Sequence, residues 1–153
     1  MTQLEIDQVG MDLAATITRQ VQCKSRQIGA VIMFGERVVA TGVNGALAIP
    51  PCDICPRELS SSGRDLHLCR AIHAEVNAIA YAARRGQQTN GTTMYVTCGV
   101  PCKDCLNSIV AAGISRVVCM DNTDYYDDLS REIVSVGLIK VDTYVQKLNE
   151  GDK

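Results

Sequence analysis

Apolar positions recur along the chain with two distinct periods. Ile6, Val9, Leu13, Ile17 and Val21 return at three- and four-residue steps, the spacing of one buried helix face. "IGAVIMF" and "RVVATG" are β-branched runs parted by Gly35 and Glu36, which predicts a hairpin. Three further blocks each follow a helical segment with a strand. Residues 74–85 are helical by composition, Gly86 is placed for a C-terminal cap, and "TTMYVT" reads as the next strand. Residues 102–112 form a helix closed by Gly113 ahead of the strand "SRVVCM". Asp127 to Val136 form another, closed by Gly137 ahead of the final strand "LIKVDTYV". The order is α-β-β-α-β-α-β-α-β, with room for a short last helix. Strands joined through helices run parallel, because a parallel connection needs a crossover. The expected fold is therefore α/β, a three-layer α/β/α sandwich with a five-stranded mixed sheet. Neither repeat nor linker interrupts it, so one domain over residues 1–153 is expected.

Residues 44–70 break the pattern. They hold Pro50, Pro51 and Pro56, a "SSSG" stretch and three cysteines. A loop of this length inside a compact domain is expected to be functional or tied down. Composition narrows the partners. The net charge is -2, Trp is absent and Phe occurs once, whereas nucleic-acid binders show a basic face and aromatic platforms. A small-molecule partner is favoured, with no nucleic acid. No apolar run reaches the roughly 18 residues of a membrane span, so no membrane partner is expected. The start, "MTQLEIDQVGMDLAATITRQ", has neither a basic nor an apolar leader region and reads as an amphipathic helix. A cytoplasmic protein is expected, and its eight cysteines then point to metal binding or catalysis rather than bridges.

Two helix starts carry the chemistry. Cys102 and Cys105, in "PCKDC", share one face of a first turn, where backbone N–H groups and the helix dipole favour thiolates. A lone C-x-x-C also describes redox dithiols, and a lone His73 describes many structural histidines. Together with Glu75 they describe something narrower. His73, Cys102 and Cys105 leave a tetrahedral zinc one open position, where water is acidified toward neutrality. Glu75, beside that position and outside the ligand set, is placed to carry protons. A closed structural zinc site would leave Glu75 without a role. The spacing matches the zinc deaminase signature H-x-E…P-C-x-x-C.

Beyond the signature, "IGAVI", "GVNG", "IHAEVNAI", "GTTMYVT", "PCKDC" and "AAGISRVV" resemble the deoxycytidylate deaminases, the dCMP-specific branch of the cytidine deaminase superfamily. The likeness covers roughly residues 20–120 and agrees with the order of elements. It implies hydrolysis of dCMP to dUMP and ammonia, supplying the thymidylate precursor. It also implies a homo-oligomer, usually a hexamer, activated by dCTP with Mg²⁺ and inhibited by dTTP. Two departures stand out: Val43 replaces the tyrosine of the family's G-Y-N-G, and Gly99-Val100 precedes Pro101-Cys102.

By position, the resemblance implies that Asn44 bonds the sugar or base edge and that the Ala74 backbone reads cytosine. Lys24 and Arg26 are candidates for the substrate phosphate, against the alternative of a solvated strand entrance. Tyr125 or Tyr126 is a candidate to cover it, and Arg84 is a candidate interface residue. Some relatives carry a second, structural zinc, for which Cys23, Cys52, Cys55 and Cys69 are the candidate ligands, with His67 a possible substitute. Cys98 and Cys119 are expected as core thiols in strands.

Overall fold

A computed structural model describes residues 1–61 and 64–144. Helix α1 spans Gln3–Ile17 and opens on a capping box. The Thr2 hydroxyl accepts from Glu5 N at 3.3 Å, and Glu5 Oε2 accepts from Thr2 N at 2.6 Å. The helix stops short of Val21, the last member of its apolar stripe. Thr16 and Thr18 turn their hydroxyls onto the carbonyls of Asp12 and Ala15, at 2.8 and 2.6 Å. Such bonds compete with the helical ladder, and the chain tightens into a 3₁₀ turn over Thr18–Gln20.

Strands β1 (Gly29–Phe34) and β2 (Arg37–Val43) form the expected hairpin, with Gly35 taking the turn at φ 55°. The long loop follows, and then α2 (Ala74–Arg84), β3 (Thr93–Val96), β4 (Gly99–Val100), α3 (Lys103–Ala111), β5 (Arg116–Cys119), β6 (Asp121–Tyr125), α4 (Asp128–Val136) and β7 (Lys140–Thr143). Val145, expected in the last strand, and the short helix allowed for beyond it lie outside the described residues.

The main sheet is five-stranded and mixed, in the order β2-β1-β3-β5-β7. It is antiparallel at β2–β1 and β1–β3 and parallel at β3–β5 and β5–β7. Its side chains alternate between two cores. Ala30, Ile32, Met94, Val96, Val117 and Cys119 meet α2 and α3 through Ala74, Ala78, Leu106 and Ile109, and Ile133 and Val134 of α4 pack on the same core. Val31, Met33, Tyr95 and Val118 meet Met11 and Ala14 of α1 on the other face. Cover on both faces explains why β1 is a continuous apolar run rather than an alternating one.

One pairing escaped the sequence pattern. β4 and β6 form a separate two-stranded parallel ladder. β4 is only a dipeptide and β6, "DNTDY", is polar, so neither carries a strand period. Because α2 precedes β3 and α3 follows it, both helices begin at the C-terminal edge of the parallel strands, where open α/β sheets build their sites. No helix among the described residues is long and apolar enough to cross a membrane.

An ionic network ties α1 to β3, β5 and β7. Arg116 grips Asp7 with two bonds of 2.7 Å and reaches Asp142 Oδ2 at 2.6 Å. Tyr95 Oη and Gln3 Nε2 donate to Asp7 Oδ1, each at 2.9 Å. Burial pushes the Asp7 carboxyl up, but the bonds from Arg116, Gln3 and Tyr95 outweigh it and hold the carboxyl below its usual range. The Arg116 and Asp7 side chains are only 17% and 12% exposed, so removing one leaves the other charge buried. Asp7→Ala leaves Arg116 its bond to Asp142 but strips the Tyr95 hydroxyl of its acceptor, and is expected to cost about 1–3 kcal/mol by urea unfolding at pH 7. A depressed carboxyl stabilises above its unfolded pKa of about 3.9 and stops doing so as pH falls through its folded value. The gap between wild type and variant should therefore narrow on acidification below about pH 4. A gap unchanged from pH 7 to pH 3 would contradict this account.

Candidate metal centre

Helix N-caps are normally Ser, Thr, Asp or Asn, whose side chains accept from the first turn. Asp127 obeys this rule at α4, taking a 2.6 Å bond from Ser130 N. α2 and α3 break it. Their N-caps are His73 and Cys102, and neither side chain makes a cap bond. Both turn instead toward one point. His73 Nδ1 lies 3.2 Å from Cys105 Sγ and 3.5 Å from Cys102 Sγ, and all three ligand atoms fall within 4.8 Å of one another. Nitrogen and sulfur at about 2.1 and 2.3 Å from a tetrahedral zinc stand about 3.6 Å apart. The donor set therefore fits zinc in both chemistry and spacing. Cys102 and Cys105 are buried while His73 is exposed, so the set opens toward solvent on one side.

Its electrostatics favour a cation. The Cys105 thiol donating to Cys102 and the His73 ring beside it hold Cys102 far below the usual thiol range. The same bond, with burial, pushes Cys105 up, so the pair gives up its first proton at Cys102. The Cys102 sulfur in turn raises the His73 pKa. Glu75 sits one turn-start away, 3% exposed. Burial pushes its carboxyl up, against the opposing pull of its own backbone amide and of His73. A carboxyl poised this way can be found protonated and can be made to let go, which is what a proton carrier needs.

Other residues expected at the site arrive in different states. Ala74 opens α2, so its N–H has no intrahelical partner. Asn44 is buried, with Oδ1 accepting from Ile28 N at 2.8 Å and Nδ2 donating to Arg26 O at 3.0 Å. It thus ties down the segment that carries Lys24 and Arg26, both exposed. The Arg26 charge is felt at His73 and at Cys98. The two tyrosines differ. Tyr125 packs on the core beneath Arg131, whose guanidinium stands 4.6 Å over its ring. Tyr126 meets the His73 ring edge-on at 6.4 Å. Tyr126, rather than Tyr125, faces the metal centre. Arg84 and His67 are exposed.

Cys23, Cys52, Cys55 and Cys69 line one cavity of ≈ 270 Å³ together with Lys24 and Asn44. Among the described residues only His73, Cys102 and Cys105 bring three ligand atoms within 4.8 Å. The loop thiols share a space without forming a ligand cluster. Cys119 is a buried strand thiol as expected, but Cys98 is not. It lies in the bend between β3 and β4, half-buried, with its Sγ 3.9 Å from Glu75 Oε1. Asp127, expected from the sequence as the first helical residue, is the N-cap of α4. It also accepts from Lys103 N at 3.1 Å, supplying α3 with the cap that Cys102 withholds.

The family described as "Cytidine and deoxycytidylate deaminase zinc-binding region" matches residues 4–121. The chain is 38% identical over 128 residues to the deoxycytidylate deaminase of Mycobacterium phage D29, covering 77% of this chain and 96% of that protein. It is 39% identical over 115 residues to the Saccharomyces cerevisiae deoxycytidylate deaminase, covering 73% of this chain but only 36% of that one. Among solved structures it shares its fold with the dCMP deaminase of cyanophage S-TIM5 in complex with dCMP and dUMP. The TM-score is 0.74 at 24% identity, over 94% of this chain and 98% of the other.

The donor set makes a direct prediction. Cys102→Ser should lose one equivalent of zinc by elemental analysis, and Cys98→Ser should keep it, because Cys98 lies outside the set. Full zinc retention in Cys102→Ser would remove His73, Cys102 and Cys105 as the ligands.

Proposed function

The chain belongs to the cytidine and deoxycytidylate deaminase zinc-binding family, and from that premise we propose that this deaminase hydrolyses dCMP to dUMP and ammonia. The observation that carries the reading is Glu75, a buried carboxyl two residues from His73 that belongs to no ligand set. Support for dCMP comes from the phage relative's name and from the nucleotides bound in the structural neighbour.

His73, Cys102 and Cys105 would hold the zinc, which supplies a Lewis acid that makes water nucleophilic near neutral pH. The remaining steps belong to Glu75. It takes a proton from the attacking water and passes it to cytosine N3 as the C4–O bond forms. It then moves the remaining hydroxyl proton to the C4 amino group, which leaves as ammonia as the C4–N bond breaks and the C4 carbonyl forms. Burial keeps the carboxyl from being solvated between these transfers.

In this reading Lys24 and Arg26 bind the 5′-phosphate, Asn44 meets the sugar or base edge, and the Ala74 N–H reads cytosine. Tyr126 flanks the ring beside His73, and Tyr125 supports that wall from the core. We extend the proposal to one catalytic domain over residues 1–153, cytoplasmic and hexameric, activated by dCTP with Mg²⁺ and inhibited by dTTP. Rates at low dCMP with each nucleotide, light scattering and cell fractionation check these points. Cys23, Cys52, Cys55 and Cys69 are proposed to close on a second, structural zinc. Their shared cavity supports this, and four thiolates would tie down a loop rich in proline and serine.

Two predictions follow from this chemistry. Ammonia release should be fast from dCMP and poor from deoxycytidine, dCTP and single-stranded DNA. Glu75→Ala should keep its zinc yet lose about 10²–10⁴-fold in kcat on dCMP. Near-normal turnover in that variant would sink the assignment. For the loop, protein never exposed to chelator should hold two zinc ions per chain, and Cys52→Ser should lose one of them and some stability. A count of one in wild type would refute the second site.

A further inference from the structure

Asn77 lies two residues beyond Glu75 on α2 and is 2% exposed. Its Nδ2 donates to Val43 O at 2.8 Å, while its Oδ1 has no hydrogen-bond partner among the described residues. A buried amide with one half unsatisfied is costly, and an apolar side chain among the neighbouring alanines would avoid that cost. The donor half is therefore the half the protein uses.

What it holds is specific. Val43 ends β2, and the next residue, Asn44, carries bonds to Ile28 N and Arg26 O. Two carboxamides thus form one bridge, from the helix that bears Glu75, across the end of β2, to the segment that bears Lys24 and Arg26. The helix and strand beneath it lie backbone against backbone. A Cβ on Gly42 would collide with Ala74 O and Ala78 N, so the spacing the bridge spans is set by contact rather than by flexible side chains.

We propose that Asn77 is a positioning residue for phosphate recognition, holding the Arg26 segment in register with Glu75. The proposal rests on the dCMP reading above. Without the Asn77 bond the end of β2 and the segment it holds should loosen, so a 5′-phosphate is gripped less well while the base still meets the zinc site. Deoxycytidine, which has no phosphate and shares only the sugar and base contacts near Asn44, should lose less.

Zinc-loaded wild type and Asn77→Ala are compared on dCMP and on deoxycytidine, with hydrogen exchange of residues 24–28 followed in parallel. The expected result is a fall in kcat/KM for dCMP of about tenfold, or roughly 1.4 kcal/mol, carried mainly by KM. Deoxycytidine should change less than about threefold, zinc content should hold, and exchange in 24–28 should quicken. Should Asn77→Ala fold poorly, Asn77→Ser, which removes the amide but keeps a polar group, makes the same comparison. Equal losses on both substrates, or no loss on either, would overturn the proposal. Unchanged exchange in 24–28 would overturn the bridge itself, whatever the kinetics. If wild type releases no ammonia from dCMP, the substrate reading fails, and quickened exchange then leaves the bridge standing while its phosphate role falls.

Discussion

Asp127 accepts from the first turns of two helices at once, Ser130 N of its own helix and Lys103 N of α3. The rest of the site depends on this double cap. α3 begins at Cys102, whose side chain must leave the helix end to face His73. A helix start stripped of its cap loses about 1 kcal/mol and leaves N–H groups in want of acceptors. Asp127 supplies that acceptor from a neighbouring element, so the thiol is released at little cost. The same bond draws the start of α4 against the start of α3 and sets the preceding residue, Tyr126, beside the His73 ring. One carboxylate thereby joins the ligand helix and the segment whose ring stands edge-on to His73.

Electrostatics at the two helix starts divide along the same line. The Cys105 thiol and the His73 ring, with the Cys105 backbone N–H, lower Cys102, and burial raises Glu75. A donor that must be anionic sits where N–H groups converge, and a group that must exchange protons sits where water is scarce. Both lie within one turn of a helix start at the same edge of the sheet. The Asp7–Arg116 network joins α1 to the first residue of β5 and the third of β7. Ionic stabilisation and ionic chemistry therefore use opposite faces of the same sheet, that of α1 and that of α2 and α3.

Sequence periodicity was enough for the five-stranded sheet and its helices, because each element buries a face with its own repeat. Ile32, Val96 and Val117 fall on one core and Val31, Tyr95 and Val118 on the other by simple alternation. The group His73, Cys102 and Cys105 was legible too, with Glu75 beside it, since all four are fixed by local spacing at helix starts. What escaped was polar, short or distant in sequence. The β4–β6 ladder has no apolar alternation to announce it. Val21 kept the stripe of α1, but two threonine hydroxyls ended the helix first. Nothing in "HAEVNAI" says that Asn77 reaches Val43, because that bond exists only once Gly42 has let the helix settle on the strand.

The cysteines show how far residue type alone can be trusted. Cys98 and Cys102 are four positions apart in one segment, yet burial drives Cys98 up while its neighbours drive Cys102 down. Cys119, buried in β5, is pushed up to about 11 and has a backbone carbonyl, Asp142 O, at 3.6 Å. Of Cys98, Cys102, Cys105 and Cys119, Cys102 is the one held low, and it stands at the start of α3 with Cys105 and the His73 ring beside it. The fate of a thiol in this fold is decided by which end of which helix it occupies, and a count of eight could not have separated the ligands from the bystanders. A second metal in the loop, on Cys23, Cys52, Cys55 and Cys69, would stand outside that rule. Those four thiols come from irregular backbone, so loop order would follow metal binding rather than precede it.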